Sequence, residues 1–284
     1  MSKLLALVDG SIYSRSVCEH AVWIAQRAGF AVDLLHVLAR RRNEGGGGNL
    51  SGNISLGAKS TLLNELTELD GEMAKLQQKR GRAILDDARQ ILSDAGVDEI
   101  TTRLRFGDIV ETVGADEATA DMVLIGKRGE DADFASTHLG SNLERIVRSC
   151  HKPVMVAARA FTPVERAVVA FDGGESVMKA IAYMEQSPIF NGVACELLYV
   201  GEPNNAMREH LDATVARLQA AGREVSTAIR AGQPEQVIAS AVDEGGANLL
   251  VMGAYGHSRI RTLIIGSTTT TMMRLCRVPV LLFR

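Results

Sequence analysis

Short apolar runs of about four to six residues recur along the chain, and most of them end near an Asp or a Gly. The runs are apolar at consecutive positions, which is typical of parallel strands whose two faces are both covered. Longer stretches between them carry apolar residues at helical spacing, so we expect helices as crossovers. The pattern predicts ten strands: Leu4–Val8, Val32–Val37, Thr101–Arg105, Met122–Ile125, Val154–Ala157, Ala167–Phe171, Cys195–Val200, Val225–Ile229, Leu249–Met252 and Val280–Phe283.

The second half of the chain repeats the motifs of the first half in the same order. LLALVDGS at 4–11 matches AVVAFDGG at 167–174, and ADMVLIGKRG at 120–129 matches ANLLVMGAYG at 247–256. A repeat of this length indicates a duplicated domain rather than a solenoid unit. We therefore predict two α/β domains, at 1–160 and 161–284, that meet within the sequence ARAFTPVERA.

The first copy carries a long insertion near 40–80. His36 to Gly96 spans 60 positions, whereas the matching span from Tyr199 to Gly222 covers 23. The insertion begins with RRRNEGGGGNLSGN, which predicts a flexible segment. A helical pattern follows, and this helix either packs on its own domain or forms a surface for self-association or for a partner. Its apolar residues alternate in steps of four and three, as in a coiled-coil seam: Leu62, Leu66, Leu69, Met73 and Leu76.

Composition and charge favour a cytoplasmic globular protein. The formal net charge is −3 and the pI is about 6.1, so no basic excess points to nucleic acid or to an anionic membrane. The first apolar run ends at Asp9, too early for a signal-peptide core, and no apolar run approaches the ~20 residues of a membrane-spanning helix. The four cysteines and six histidines show no metal-binding spacing, so we predict no metal site in the protein itself and cysteines that pack as reduced core residues.

The phrase GAYGHSRIRTLIIGST, at 253–268, joins a predicted strand to a predicted helix through a glycine-rich turn. Gly253 and Gly256 shape the turn, and the Gly-Ser-Thr run at 266–268 opens the helix. A helix N-terminus offers unpaired N–H groups to phosphate. Ligands of open parallel sheets bind at the carboxyl ends of the strands. Asp172 ends the first strand of this copy and should face the same crevice, where its carboxylate suits a ribose hydroxyl or an adenine amine.

The spacing of GAYG, nine residues and then GST resembles that of the ATP-binding universal stress proteins. Asp172 and the terminal RVPVLLF fit the same family, and the resemblance covers nearly the whole chain apart from the insertion. It implies an α/β fold of two tandem open parallel five-stranded sheets. In each sheet the strand order would be 3-2-1-4-5 with helices on both faces, and the sheets would pair through their last strands.

The resemblance also implies a binding site for ATP, with Mg²⁺ accompanying the nucleotide. In this assignment Asp172 holds the adenine or ribose end, the backbone of Val200 borders the adenine, and Met252 with Gly253 flanks the ribose. The later glycines and hydroxyls cradle the phosphates. The complete set is Asp172, Val200, Met252, Gly253, Gly256, Gly266, Ser267, Thr268 and Thr269.

The first copy departs from this pattern in GKRGEDADFASTHLGSN, at 126–142. Ten residues separate its second and third glycines, and the loop begins with EDAD. Carboxylates near a polyphosphate repel it by on the order of 1 kcal/mol each when partly exposed. We expect this copy to keep the fold and to bind ATP weakly or not at all. The alternative is a tighter-fitting or different ligand, with Lys127 and Arg128 offsetting the acids. The corresponding degenerate site comprises Asp9, Gly126, Gly129, Gly140, Ser141 and Asn142.

Three functions remain open at this point. The family resemblance implies a nucleotide-responsive regulator of a stress response that hydrolyses ATP slowly at most. DGGES at 172–176 is similar to the SGGxDS loop of ATP pyrophosphatases, with Asp172 in place of the serine and Glu175 in place of the aspartate. An adenylylating or ATP-hydrolysing enzyme of that kind would hold the phosphates at this first loop. A nucleotide-free scaffold that binds a partner through the inserted helix is the third alternative.

Overall fold

The computed structural model describes residues 2–39, 56–129, 141–254 and 265–284, in which strands and helices alternate. The strands are β1 Lys3–Leu7, β2 Ala31–Leu38, β3 Ile100–Phe106, β4 Met122–Gly126, β5 Val154–Ala157, β6 Arg166–Ala170, β7 Ala194–Val200, β8 Val225–Arg230, β9 Leu249–Gly253 and β10 Val280–Phe283. The helices are α1 Ser14–Ala28, α2 Leu56–Asp94, α3 Ile109–Asp116, α4 Ser141–Ser149, α5 Glu175–Gln186, α6 Asn205–Ala220, α7 Pro234–Glu244 and α8 Ser267–Leu275. All ten predicted strands are therefore present.

The ten strands form one continuous sheet in the order β3-β2-β1-β4-β5-β10-β9-β6-β7-β8. Each half contributes five strands in the order 3-2-1-4-5. The halves meet where β5 and β10 run antiparallel, with Met155 opposite Leu281. The other neighbouring strands in the described part of the chain pair in parallel. The predicted α/β class and its mainly parallel sheet are confirmed, and the implied pairing through the last strands is the β5–β10 edge, which joins the two five-stranded halves into one sheet.

Helices cover both faces of this sheet. Alternate strand residues such as Leu4 and Ala6 point to one face, where buried residues of α1, α2, α5 and α6 join them. Their neighbours Leu5 and Leu7 point to the other face, against α3, α4, α7 and α8. Residues buried on both sides explain why the strands are apolar at consecutive positions rather than at every second one. The predicted boundary at residue 160 falls in the connection between β5 and β6, and the domain limits themselves stay a prediction.

Each half also caps the last helix of the other half. Lys127 Nζ, just beyond β4, donates a hydrogen bond of 2.6 Å to the carbonyl oxygen of Cys276 at the end of α8. Arg284, beyond β10, donates one of 2.9 Å to the carbonyl oxygen of Arg148 in the last turn of α4. Burial lowers the pKa of Lys127 to about 8. A cation at a helix C-terminus satisfies open carbonyl groups and complements the helix dipole, so both contacts hold the halves together.

Helix α2 is 39 residues long, and its two ends have different surroundings. Near its C-terminus, Leu85, Ala88 and Leu92 are buried in the core of the first half. The apolar seam of the insertion is exposed instead: 48% of Leu66, 56% of Leu69, 44% of Met73 and 62% of Leu76 is accessible. The expectation that this seam packs on its own domain is therefore wrong for these four residues. The alternative, a surface for self-association or for a partner, stays a prediction, and the glycine-rich segment at 40–53 lies outside the described residues.

The structure also bears on the predicted state of the cysteines and on the predicted absence of a membrane-spanning helix. All four cysteines are free and buried, and burial raises the pKa of Cys18 and of Cys195 to about 12. Their predicted role as reduced core residues is confirmed. Among the described helices, none combines the length and the apolar character needed to cross a membrane. The cytoplasmic location stays a prediction.

Candidate functional site

A cavity of about 510 Å³ opens at the carboxyl ends of β6, β7 and β9. Strand β6 lies between the other two, so the chain leaves it toward β7 and later returns to its other side at β9. The crossovers therefore diverge here and leave a crevice, as at the ligand sites of open α/β sheets. The beginnings of α7 and α8 complete its wall through Pro234 and the first turn after Gly266.

Eight of the nine residues assigned to the nucleotide site line this cavity together. They come from four separate stretches of the chain, so the fold brings together residues that lie up to about a hundred positions apart in the sequence. They are Asp172, Val200, Met252, Gly253, Gly266, Ser267, Thr268 and Thr269. The ninth, Gly256, lies outside the described residues, together with its neighbours from 255 to 264.

The start of α8 is tied to the end of β9 and points its first turn into the cavity. Gly266 is the N-cap, with φ −57° and ψ 142°, and its N–H donates to the carbonyl oxygen of Ala254 at 3.2 Å. The Thr269 hydroxyl donates to the carbonyl oxygen of Gly253 at 3.0 Å. Because the N-cap glycine has no side chain to bind the first-turn N–H groups, those groups and the positive end of the helix dipole are left for an anion.

Asp172 is fixed at the mouth of the cavity by the turn that follows β6. Its Oδ1 accepts a hydrogen bond of 2.8 Å from the N–H of Gly174. Between them, Gly173 has φ +70°, and a Cβ there would lie 3.1 Å from Met207 Cε and 3.3 Å from His210 Nδ1. A left-handed φ and the close approach of α6 both require glycine at this position. The DGG sequence thus holds the carboxylate at the strand end, where it borders the crevice.

Sequence reasoning missed the apolar wall of the cavity. It is built from side chains at the ends of β6 and β7 and from the first turns of α6 and α7, and it includes Phe171, Tyr199, Met207, Pro234 and Ile238. Tyr199 is half-buried and precedes the predicted Val200, so its place at a strand end was a usable signal. Pro234 begins α7 directly after the turn at Gly232, which gives the same signal for a helix start. A flat apolar wall of this kind suits a planar ring system.

Glu235 was also missed, and it contacts the predicted phosphate cradle. It stands in the first turn of α7, and its Oε1 accepts a hydrogen bond of 2.7 Å from the Thr268 hydroxyl. That hydrogen bond lowers the pKa of the Glu235 carboxyl, so the group is an anion at neutral pH. An acidic group therefore stands beside the N-terminus of α8, in contact with the cavity-lining Thr268.

The corresponding region of the first half is arranged differently. Asp9 accepts hydrogen bonds from the Ser11 N–H at 3.0 Å and from the Ser14 hydroxyl at 3.2 Å. A Cβ on Gly129 would lie 3.0 Å from Asp9 Oδ2, so that backbone also closes on the carboxylate. Asn142 accepts from Arg145 Nη1 at 3.5 Å. These polar groups bind their own neighbours in the chain.

Side chains closely approach two glycines of the first half, as Met207 approaches Gly173 in the second half. A Cβ on Gly126 would lie 2.9 Å from Cβ of Tyr13, and a Cβ on Gly10 would lie 2.8 Å from Ile84 Cδ1. In the repeat, Ser176 takes the place of Tyr13. Gly140 lies outside the described residues, and Ser141 is described only as the first residue of α4. The weak or absent ATP binding expected of this degenerate site stays a prediction.

Comparison with known proteins places these features in a family context. The model of the universal stress protein family matches residues 1–158 and 202–284. A universal stress protein from Synechocystis sp. is 32% identical over 287 residues and is covered, like this chain, over 100% of its length. A universal stress protein from Archaeoglobus fulgidus has a similar structure, with a TM-score of 0.72, 21% identity and coverage of 99% of this chain and 98% of that one. A functionally unknown protein from Pseudomonas aeruginosa gives a TM-score of 0.61 at 16% identity, over 100% of this chain and 92% of that one.

Proposed function

Because the chain belongs to the universal stress protein family, we propose that it binds ATP in the crevice of its second half and acts as a nucleotide-responsive regulator. One observation carries the proposal: eight assigned residues from four separate stretches line a single cavity at the strand ends. Its volume, about 510 Å³, falls within the range typical of small-molecule sites, roughly 300 to 1,000 Å³.

The chemistry of the cavity fits the three parts of ATP. The apolar wall with Phe171 and Tyr199 suits the adenine ring. Asp172 offers a carboxylate to the ribose hydroxyls or the adenine amine. The first turn of α8 offers N–H groups to the phosphates. Mg²⁺ carried by the nucleotide would neutralise phosphate charge, and the hydroxyl oxygens of Ser267 and Thr268 are ligands of the hard type that it prefers.

The position of the cavity favours regulatory ATP binding over the alternative of an adenylylating enzyme. An enzyme of that type would hold phosphates at the DGGES loop. Of that loop, Asp172 borders the cavity, whereas Glu175 begins α5 and pairs with Lys179 on the same helix at 3.0 Å. The helix starts that line the cavity are those of α6, α7 and α8, whereas Glu175 at the start of α5 is not among the lining residues. We therefore propose phosphate binding at the fourth strand of the repeat, with nucleotide occupancy as the regulatory signal.

The two equivalent aspartates provide a matched test. We expect Asp172→Ala to weaken Mg²⁺-ATP binding to the full chain about tenfold, the cost of losing a hydrogen bond to a charged group. Asp9→Ala removes the same group from the first half and should change the dissociation constant less than twofold. Isothermal titration calorimetry measures both. Equal effects of the two substitutions, or no effect of Asp172→Ala, would show that the site is assigned wrongly.

A further inference from the structure

Glu235 places a negative charge at the corner of the cavity where phosphates would bind. Its carboxylate lies 2.7 Å from the hydroxyl of Thr268, and both Thr268 and the preceding residue, Pro234, line the cavity. Glu235 is half-buried, so water screens its charge only in part. An ordinary phosphate cradle would carry a cation or a neutral donor here.

The threonine hydroxyls at the start of α8 both donate their hydrogens to protein oxygens, which adds to the negative character of this corner. Thr268 donates its hydrogen to Glu235, and Thr269 donates its hydrogen to the carbonyl oxygen of Gly253. A hydroxyl has one hydrogen to donate and two lone pairs to offer. Toward the cavity both threonines therefore present lone pairs, and with the carboxylate they form an oxygen-rich acceptor corner. Such a corner repels a bare phosphate and suits a hard divalent cation.

The first half carries different residues at the two positions that match this acid and hydroxyl pair, and the carboxylate of Asp108 at the start of α3 is paired with Arg145 at 2.9 Å. GDIVETV at 107–113 aligns with GQPEQVI at 232–238, and GSN at 140–142 aligns with GST at 266–268. Val110 and Asn142 therefore stand where Glu235 and Thr268 stand in the second half. The acid and hydroxyl pair belongs to the half that keeps the glycine phrase with nine intervening residues.

On the premise that this crevice binds ATP, we propose that Glu235 makes it selective for the magnesium complex of ATP over free ATP. Free ATP places a polyphosphate of high negative charge next to the carboxylate, and the repulsion between them weakens its binding. Mg²⁺ on the phosphates reverses the sign of that interaction, because the carboxylate and the Thr268 oxygen then face a cation. Glu235 thus acts as a specificity-determining residue that couples nucleotide occupancy to the divalent cation.

The test compares ATP affinity in EDTA with affinity in excess Mg²⁺, by calorimetry on the full chain. Glu235→Gln keeps an acceptor for Thr268 and removes the charge. Free ATP should bind this variant about fivefold more tightly, and the advantage of Mg²⁺-ATP over free ATP should shrink about tenfold. Glu244→Gln is the matched control, since Glu244 ends the same helix and accepts a hydrogen bond of 2.7 Å from the Ser240 hydroxyl. It should leave the magnesium advantage within twofold of the original value.

A second variant separates charge from structure. Glu235→Lys should tighten free ATP and weaken Mg²⁺-ATP, whereas damage to the fold would weaken both forms together. The proposal is overturned if ATP binds and the magnesium advantage is the same in the original protein, Glu235→Gln and Glu235→Lys. If the original protein binds ATP in neither buffer, the proposed function fails as well, so the two failures are distinguishable.

Discussion

Replacing Ser267 with aspartate should weaken the binding of free ATP, measured in EDTA, about 100-fold without destabilising the protein. Ser267 is the first residue of α8, is exposed, and lines the cavity. A carboxylate there would stand against the phosphates, at a cost of about 1 to 4 kcal/mol per charge pair at 4 Å, depending on the local dielectric. The same carboxylate complements the helix dipole and should stabilise the fold by about 0.3 to 1 kcal/mol.

The opposite signs of these two effects make the experiment informative. Calorimetry gives the loss of binding, and thermal unfolding without nucleotide gives the change in stability. Ser267→Asn is the control, since it has nearly the same shape as the aspartate without its charge, and it should lose less than tenfold in affinity. Equal losses for Asn and Asp would mean that size, rather than phosphate charge, matters at this position, and the phosphate assignment would be wrong.

Replacing Leu281 with alanine should cost about 3 kcal/mol of unfolding free energy, within the range measured for large-to-small core substitutions. Leu281 is fully buried and sits in β10 opposite Met155 of β5, where the two halves of the sheet join. Its removal leaves a cavity at the junction that neighbouring side chains cannot fill without shifting. Urea denaturation followed by circular dichroism measures the loss.

Leu275 gives the matched control for this substitution. It is also a leucine of the second half, but 56% of it is exposed at the end of α8. Leu275→Ala should therefore change the unfolding free energy by less than about 0.5 kcal/mol. If the two substitutions lower the unfolding free energy equally, burial of Leu281 at the β5–β10 junction does not stabilise the protein as proposed.

The strands were predictable because parallel strands covered on both faces leave a strong apolar signal. Each predicted run falls within a residue or two of a strand; Leu4–Val8 against Lys3–Leu7 is typical. The joining of the halves through their last strands was implied by the family resemblance and not by these runs. It depends on edge hydrogen bonds between β5 and β10, which carry no side-chain signature of their own.

Helix α2 illustrates the limit of periodicity. The four-and-three spacing of Leu66, Leu69, Met73 and Leu76 identifies one apolar face of a helix, and that much is correct. Spacing contains no information on what covers the face. Residues 65–80 of the helix are mostly exposed, and packing on the first half is evident from Gly81 onward, where an added Cβ would meet Leu104 and His36.

The site residues were predictable where they belong to recognisable sequence motifs. Asp172 and the residues of GST follow strand ends or open a helix, and both places face the crevice in an open α/β sheet. Glu235 follows no such phrase. Its contact with Thr268 joins residues 33 positions apart in the chain, and it exists because the first turns of α7 and α8 lie side by side, a packing detail that neither propensity nor spacing encodes.

The number of ATP molecules bound per chain distinguishes a protein with one functional crevice from a protein with two or none. Native mass spectrometry of the full chain with Mg²⁺-ATP counts the nucleotides bound to each chain, and the Asp172→Ala and Asp9→Ala variants identify the half that holds them. We predict one ATP per chain, reduced by Asp172→Ala and retained by Asp9→Ala. Two ATP per chain, none, or one that is lost with Asp9→Ala would contradict ATP binding in the crevice of the second half.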